Sequence, residues 1–152
     1  MVRAGREALA ALPHTRLLGC SSLYRSAPVG YAAQPDFINA VCLIETGLAA
    51  PGLLQALLAT ERAHGRVREV PGGPRTLDLD LLLYGAETLH QPGLTLPHPR
   101  LHERAFVLYP LLELDPGALI PGRGRAAEFL SACAGQGIER LSGTADQDGW
   151  NE

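Results

Sequence analysis

Residues 75–84, "RTLDLDLLLY", constrain this chain more than any other stretch. Leucine alternates with aspartate at Leu77, Asp78, Leu79 and Asp80, and more leucines follow. In a strand, residues i and i+2 project from one face. The spacing therefore predicts a strand with its leucines in a core and its two carboxylates together on the other side. Two carboxylates so close repel unless a positive charge lies between them. A hard divalent cation meets that need, because magnesium takes oxygen ligands and shares them between one or two carboxylates and phosphates. A solvent-facing strand with two tolerated charges would look the same if the pair stood alone.

The neighbouring residues narrow the choice. Arg66, Arg68 and Arg75 lie just upstream in a segment of glycines and prolines, "GRVREVPGGPR". Arginines beside a metal-binding acid pair suit phosphoryl transfer, where guanidinium groups and metal neutralise developing charge. Surface ion pairs would be the plainer explanation, at about 0–1 kcal/mol each, but they need no shaped loop. All 13 basic side chains are arginine. The absence of lysine excludes a phosphate loop of the Walker type, a protein-kinase site and a Schiff-base lysine.

At 152 residues and a net charge of −3, the chain suits a single domain, 1–152, with no chain-wide basic surface for nucleic acid. No apolar run approaches the ~20 residues of a membrane helix, and the expected location is the cytoplasm. Cys20, Cys42 and Cys133 are far apart and form no CxxC pattern, so they are expected as core thiols.

Along the chain, the pattern predicts a helix over 2–12 and a strand over 16–25. A loop follows over 26–36, then a largely buried strand over 37–46. Residues 51–64 predict a helix with Pro51 in its first turn, Leu53, Leu54, Leu57 and Leu58 as its core stripe, and Gly65 as its stop. Residues 91–99 read as extended. Residues 101–114 read as a helix kinked or split near Pro110, and 125–134 as a short helix. The tail after 141 is expected to be loosely held. "GRGRAA" at 122–127 lacks the third glycine and the preceding strand of a dinucleotide fingerprint. Irregular alternation of strands and helices, without a glycine-rich strand-to-helix loop, suits an α+β sandwich better than a doubly wound sheet.

Several ordered motifs together resemble one family. "GPRTLDLDLLLYG" resembles the signature of the 6-hydroxymethyl-7,8-dihydropterin pyrophosphokinases of folate biosynthesis, and "SSLYRSAPVGYAAQPDFINAV", "ERAHGRVR" and "LTLPHPRLHERAFVLYPLLELDP" resemble its flanking segments. The resemblance runs from about residue 3 to residue 121. It implies a ferredoxin-like two-layer sandwich with a mainly antiparallel sheet. It also implies transfer of diphosphate from ATP to a pterin hydroxymethyl group, with AMP released and two Mg²⁺ ions held by Asp78 and Asp80. Asp80 is in addition a candidate acceptor of the hydroxyl proton.

The resemblance further implies a pterin site at Ala27, Val29, Phe37, Asn39 and Phe106. Phe37 and Asn39 are two apart on a strand and so share a face; a lone aromatic there would read as core packing. Arg66 and Arg75 would act on the phosphates as catalytic residues. Glu61, Arg66, Arg68, Arg75, His98 and Arg104 would contact the nucleotide, Glu61 by bracing an arginine. The implied partners are small molecules, with no nucleic acid or membrane, and the implied state is a monomer.

The sequence departs from the family pattern at three places. The 69–74 loop lacks a tryptophan, Pro99 follows His98 where an aromatic is common, and the chain opens on the first helix where members have a strand and a Gly-Ser-Asn-type turn. A central strand with about four buried apolar side chains contributes about 6–12 kcal/mol, against a typical domain stability of about 5–15 kcal/mol. The expectation is a sheet short of one central strand. A pterin- or nucleotide-binding relative without catalysis is the alternative this motivates, although such a relative has no need of a costly acid pair. Another metal-dependent phosphotransferase or hydrolase would keep the acids but would not account for "PDFINA" with "PHPRLHER".

Overall fold

The computed structural model describes residues 2–26, 37–67 and 77–141, with backbone only at 65–67. The first helix, α1 (Val2–Ala10), packs along the first strand, β1 (Thr15–Cys20). Next come β2 (Tyr24–Ser26), β3 (Phe37–Asn39) and β4 (Cys42–Thr46). β1 pairs antiparallel with β4, and β2 lies between β3 and β9 (Ile138–Arg140), also antiparallel. Every recorded pairing among the described residues is antiparallel. The chain is thus α+β with antiparallel sheets, as expected.

Each of the two long strands expected at 16–25 and 37–46 is broken in two. The breaks face one another. Ser21 N–H donates to Val41 O (2.8 Å), and Val41 N–H donates to the Ser21 hydroxyl (3.0 Å). Ser22 meanwhile gives its N–H and hydroxyl to Glu113 (2.9 and 3.0 Å). These side-chain bonds replace ladder bonds at the crossing, so regular pairing stops on both strands.

The second helix, α2 (Ala50–Val67), begins one residue before the expected start and runs through Gly65. Glycine costs about 1 kcal/mol in a helix interior relative to alanine, which did not stop this one. Leu53 and Leu57 are fully buried and join Leu12, with Leu79 and Leu81 packed against them.

Among the described residues of the expected strand at 75–84, namely 77–84, no ladder is formed. The backbone there bonds elsewhere: Leu79 N–H donates to the Glu61 carboxylate, and Leu82 O accepts from His98 N–H (2.9 Å). Alternation nevertheless holds at its start, with Leu77 buried, Leu79 half-buried, and Asp78 and Asp80 exposed. Gly5 of α1 sits against this segment. A Cβ there would meet Leu77 Cδ1 at 3.0 Å, so glycine permits the close approach.

The extended segment at 91–99 forms half of a hairpin, β5 (Leu89–Gln91) and β6 (Leu94–Leu96). Its turn is Pro92-Gly93, with Gly93 at φ 81°, the arrangement of a type II turn. The helix expected over 101–114 breaks at Arg104, which is extended (φ −119°, ψ 116°), and not at Pro110. A 3-10 turn (Leu101–Glu103) precedes α3 (Ala105–Leu114). Pro110 lies inside α3 and is buried with Val107, Leu108 and Leu111; burial of that face outweighs the one bond Pro110 cannot donate. Leu119–Ile120 (β7) and Gly124–Arg125 (β8) form a short hairpin. The short helix expected at 125–134 is two 3-10 turns, Ala126–Phe129 and Ser131–Cys133. No helix of the described residues is long and apolar enough to cross a membrane.

Candidate active site

Asp78 and Asp80 reach solvent because the alternation that buries Leu77 and Leu79 turns them outward. Both lie on the wall of a cavity of about 1890 Å³. Phe37 and Asn39 line the same cavity from β3, and Phe106 lines it from the first turn of α3. Three distant parts of the sequence therefore contribute expected site residues to one concavity.

β3 is held in place through β2. Tyr24 stands opposite Asn39 and Ser26 opposite Phe37. β2 in turn is tied to α3 by Glu113, whose carboxylate accepts from Tyr24 OH (2.7 Å), Ser22 and Arg140 (3.4 Å). Burial pushes the Glu113 carboxyl up, but the bonds from Tyr24 and Ser22 and the Arg140 charge together outweigh it and hold it below its usual range. Burial and the Glu113 contact push the Tyr24 hydroxyl up to about 12. This cluster joins the strand bearing Phe37 and Asn39 to the helix bearing Phe106. Sequence reasoning missed it, because a glutamate near a helix end carries no signal of three distant partners.

Glu61, expected near the nucleotide, has a different described partner. Its carboxylate accepts the backbone N–H of Leu79, the residue between the two aspartates. His98 is half-buried. Burial lowers its pKa, the Asp80 charge opposes that, and Arg104 and Arg100 add to the lowering. The ring is therefore neutral at pH 7. Its Nδ1 accepts from Arg100 N–H (3.2 Å), which leaves the proton on Nε2 as a donor. The Arg104 guanidinium lies 5.4 Å from the centre of the Phe106 ring, within cation–π range. Ala27, Val29, Arg68 and Arg75, and the side chain of Arg66, lie outside the described residues.

Among the described residues, no three His, Cys, Asp or Glu side chains form a metal cage. Two exposed carboxylates are the donor set expected of magnesium that completes its shell with water and phosphate oxygens, so the residues present fit that ion.

The profile of the 7,8-dihydro-6-hydroxymethylpterin-pyrophosphokinase family matches residues 1–116. A Pseudomonas aeruginosa protein named 2-amino-4-hydroxy-6-hydroxymethyldihydropteridine pyrophosphokinase is 49% identical over 142 residues, 93% of this chain and 88% of that relative. Proteins of the same name from Haemophilus influenzae and Methylorubrum extorquens are 40% and 42% identical over 93% of this chain, covering 88% and 89% of those relatives. With the acid pair, the strand pair Phe37 and Asn39, and Phe106 facing one cavity, these similarities establish that the chain belongs to the 7,8-dihydro-6-hydroxymethylpterin-pyrophosphokinase family.

Proposed function

We propose that this chain transfers diphosphate from ATP to the hydroxymethyl group of 6-hydroxymethyl-7,8-dihydropterin and releases AMP. The observation that supports it best is the shared cavity: exposed Asp78 and Asp80 on one wall, with Phe37, Asn39 and Phe106 on others. The pterin stacks on Phe37, and the Asn39 amide bonds the ring edge; Ala27 and Val29 complete that pocket. The hydroxymethyl oxygen attacks the β-phosphorus, and the bond from that phosphorus to the oxygen bridging it to the α-phosphorus breaks. Asp80 or water takes the hydroxyl proton. Asp78 and Asp80 would hold magnesium, two ions in this reading, which when bound would neutralise charge on the phosphates.

The arginines Arg66 and Arg75, with Arg68 in some states of its loop, neutralise phosphate oxygens. Neutral His98 offers Nε2–H to the nucleotide without adding charge, and Arg104 adds a fixed positive charge beside it. Glu61 acts through the backbone: by holding Leu79 N–H it fixes the spacing of the acids on either side. Positioning and electrostatics carry most of a phosphoryl transfer. The chain works as a monomer in the cytoplasm.

The finer architecture in this reading is a ferredoxin-like two-layer sandwich. Cys42, Ile44 and Thr46 of β4 line one side of the cavity and Leu77, Leu79 and Leu81 the other, with the buried Leu53 and Leu57 of α2 behind them. That surround suits an added β-strand between β4 and the acid-bearing segment, where both edges could pair.

The deciding experiment is AMP formation from ATP and Mg²⁺, with and without the hydroxymethyl pterin, run beside a thermal melt. Pterin-dependent AMP is the expected result. A folded chain that makes none would overturn the reading in favour of binding without catalysis.

A further inference from the structure

β1 and β4 bring together two cysteines that the sequence keeps apart. In their register Cys20 stands directly opposite Cys42. The Ser21 N–H to Val41 O bond sits just beyond the pair. Cys20 and Cys42 are thus a non-hydrogen-bonded pair, the kind in which opposite Cα atoms are about 4.5 Å apart and side chains are closest. Their sulfurs are 2.7 Å apart and both residues are thiols. Disulfides need a Cα separation of about 4.4–6.8 Å, so the backbone is already placed for one. Cys20 is 8% exposed, whereas Cys42 is half-buried and lines the large cavity. One sulfur is thus reachable and the other stands behind it. Cys133 belongs to a different core cluster and is 1% exposed.

We infer that Cys20 and Cys42 are a dithiol–disulfide modification site, at which a small-molecule disulfide closes a covalent bridge between β1 and β4. The Cys42 thiolate attacks one sulfur of the reagent RS–SR, forms Cys42–SR and releases RS⁻. The Cys20 thiolate then attacks the Cys42 sulfur, that S–SR bond breaks, and a second RS⁻ leaves. The two thiol protons end on the two RS⁻ groups. The protein is oxidised by two electrons and the reagent reduced by two. The hydrogen bond with Cys20, together with burial, pushes the Cys42 thiol well up, with Arg6 opposing, so the first attack is the slow step. The ring closed by the bridge, residues 20–42, contains β2 and β3 and hence Phe37 and Asn39. The inference rests on the geometry of the pair alone and stands or falls apart from the pterin chemistry.

The test uses the full chain and oxidised glutathione at pH 8.5. The expected product is lighter by about 2 Da, the two hydrogens lost. Tryptic digestion without reduction should join the peptide 17–25, which holds Cys20, to 26–62, which holds Cys42. Cys133 should remain alkylatable after denaturation. The melting temperature should rise by about 5–15 °C, as a closed loop of this length implies, and dithiothreitol should reverse the rise. Cys42→Ser should show neither the mass loss nor the shift. Three results would each overturn the inference: both thiols still alkylated after exposure, a glutathione adduct that persists on Cys42, or a bridge that includes Cys133.

Discussion

The Glu61 carboxylate on α2 accepts the backbone N–H of Leu79, the residue that separates Asp78 from Asp80. A helix side chain thereby fixes the backbone from which both candidate metal ligands project. A hydrogen bond to a charged acceptor is worth about 1.5–3 kcal/mol, and a displacement of about 1 Å in a catalytic group can cost 10²-fold in rate. Glu61→Ala is expected to lower pterin-dependent AMP formation by about 10- to 100-fold, and Glu61→Gln by less, because the amide oxygen still accepts. Steady-state kinetics on the two variants checks this; equal activity of Glu61→Ala and the wild type would separate Glu61 from the site.

The acids should trade stability for chemistry. Asp78 and Asp80 are both exposed and on one side of their segment, so in the absence of a cation they repel. Asp78→Asn and Asp80→Asn are each expected to reduce AMP formation by about 10³-fold or more. Asp80→Asn should not lower the melting temperature measured without Mg²⁺. Loss of activity with a parallel loss of folding would assign Asp80 a structural role.

Glu113 predicts a pH dependence of stability. Its folded carboxyl titrates below its ordinary value. Its stabilising effect is therefore complete above the unfolded value of about 4.3 and is lost as pH falls through the lower folded value. Thermal melts of wild type and Glu113→Gln should differ most near pH 7 and converge below about pH 4. At the other extreme the Tyr24 hydroxyl, raised to about 12, binds its proton more tightly in the fold. The stability it contributes is complete below about pH 10 and lost as pH rises toward 12. A constant gap between the two proteins from pH 3 to pH 7 would contradict the assignment.

The cavity between β4 and residues 77–84 makes a prediction about stability of its own. A strand-forming peptide of alternating apolar residues, added in trans, is expected to raise the melting temperature by covering part of that wall. Amide exchange at Ile44, Leu79 and Leu81 should slow at the same time. An unchanged melting temperature would show that no strand is accommodated there.

Much of this was legible in residue order. The leucine–aspartate alternation at 77–80 told which side chains would be buried and which exposed, because backbone geometry alone sets a period of two. The leucine spacing of 53 and 57 placed the buried stripe of α2. The ordered motifs pointed to the family that the comparisons establish. Tertiary structure decided the rest. It broke two expected strands at Ser21–Ser22 and Ala40–Val41, because Ser21 and Glu113 compete for the bonds a ladder would use. It carried α3 through Pro110, because burial of a helix face outweighs a local propensity of about 3 kcal/mol, and it ran α2 on through Gly65. It directed Glu61 to a backbone amide 18 residues away, and set Cys20 against Cys42 across a strand pair. Periodicity reports how a residue faces its own element; which distant atom it meets depends on the register and crossing of elements, and neither is written in local order.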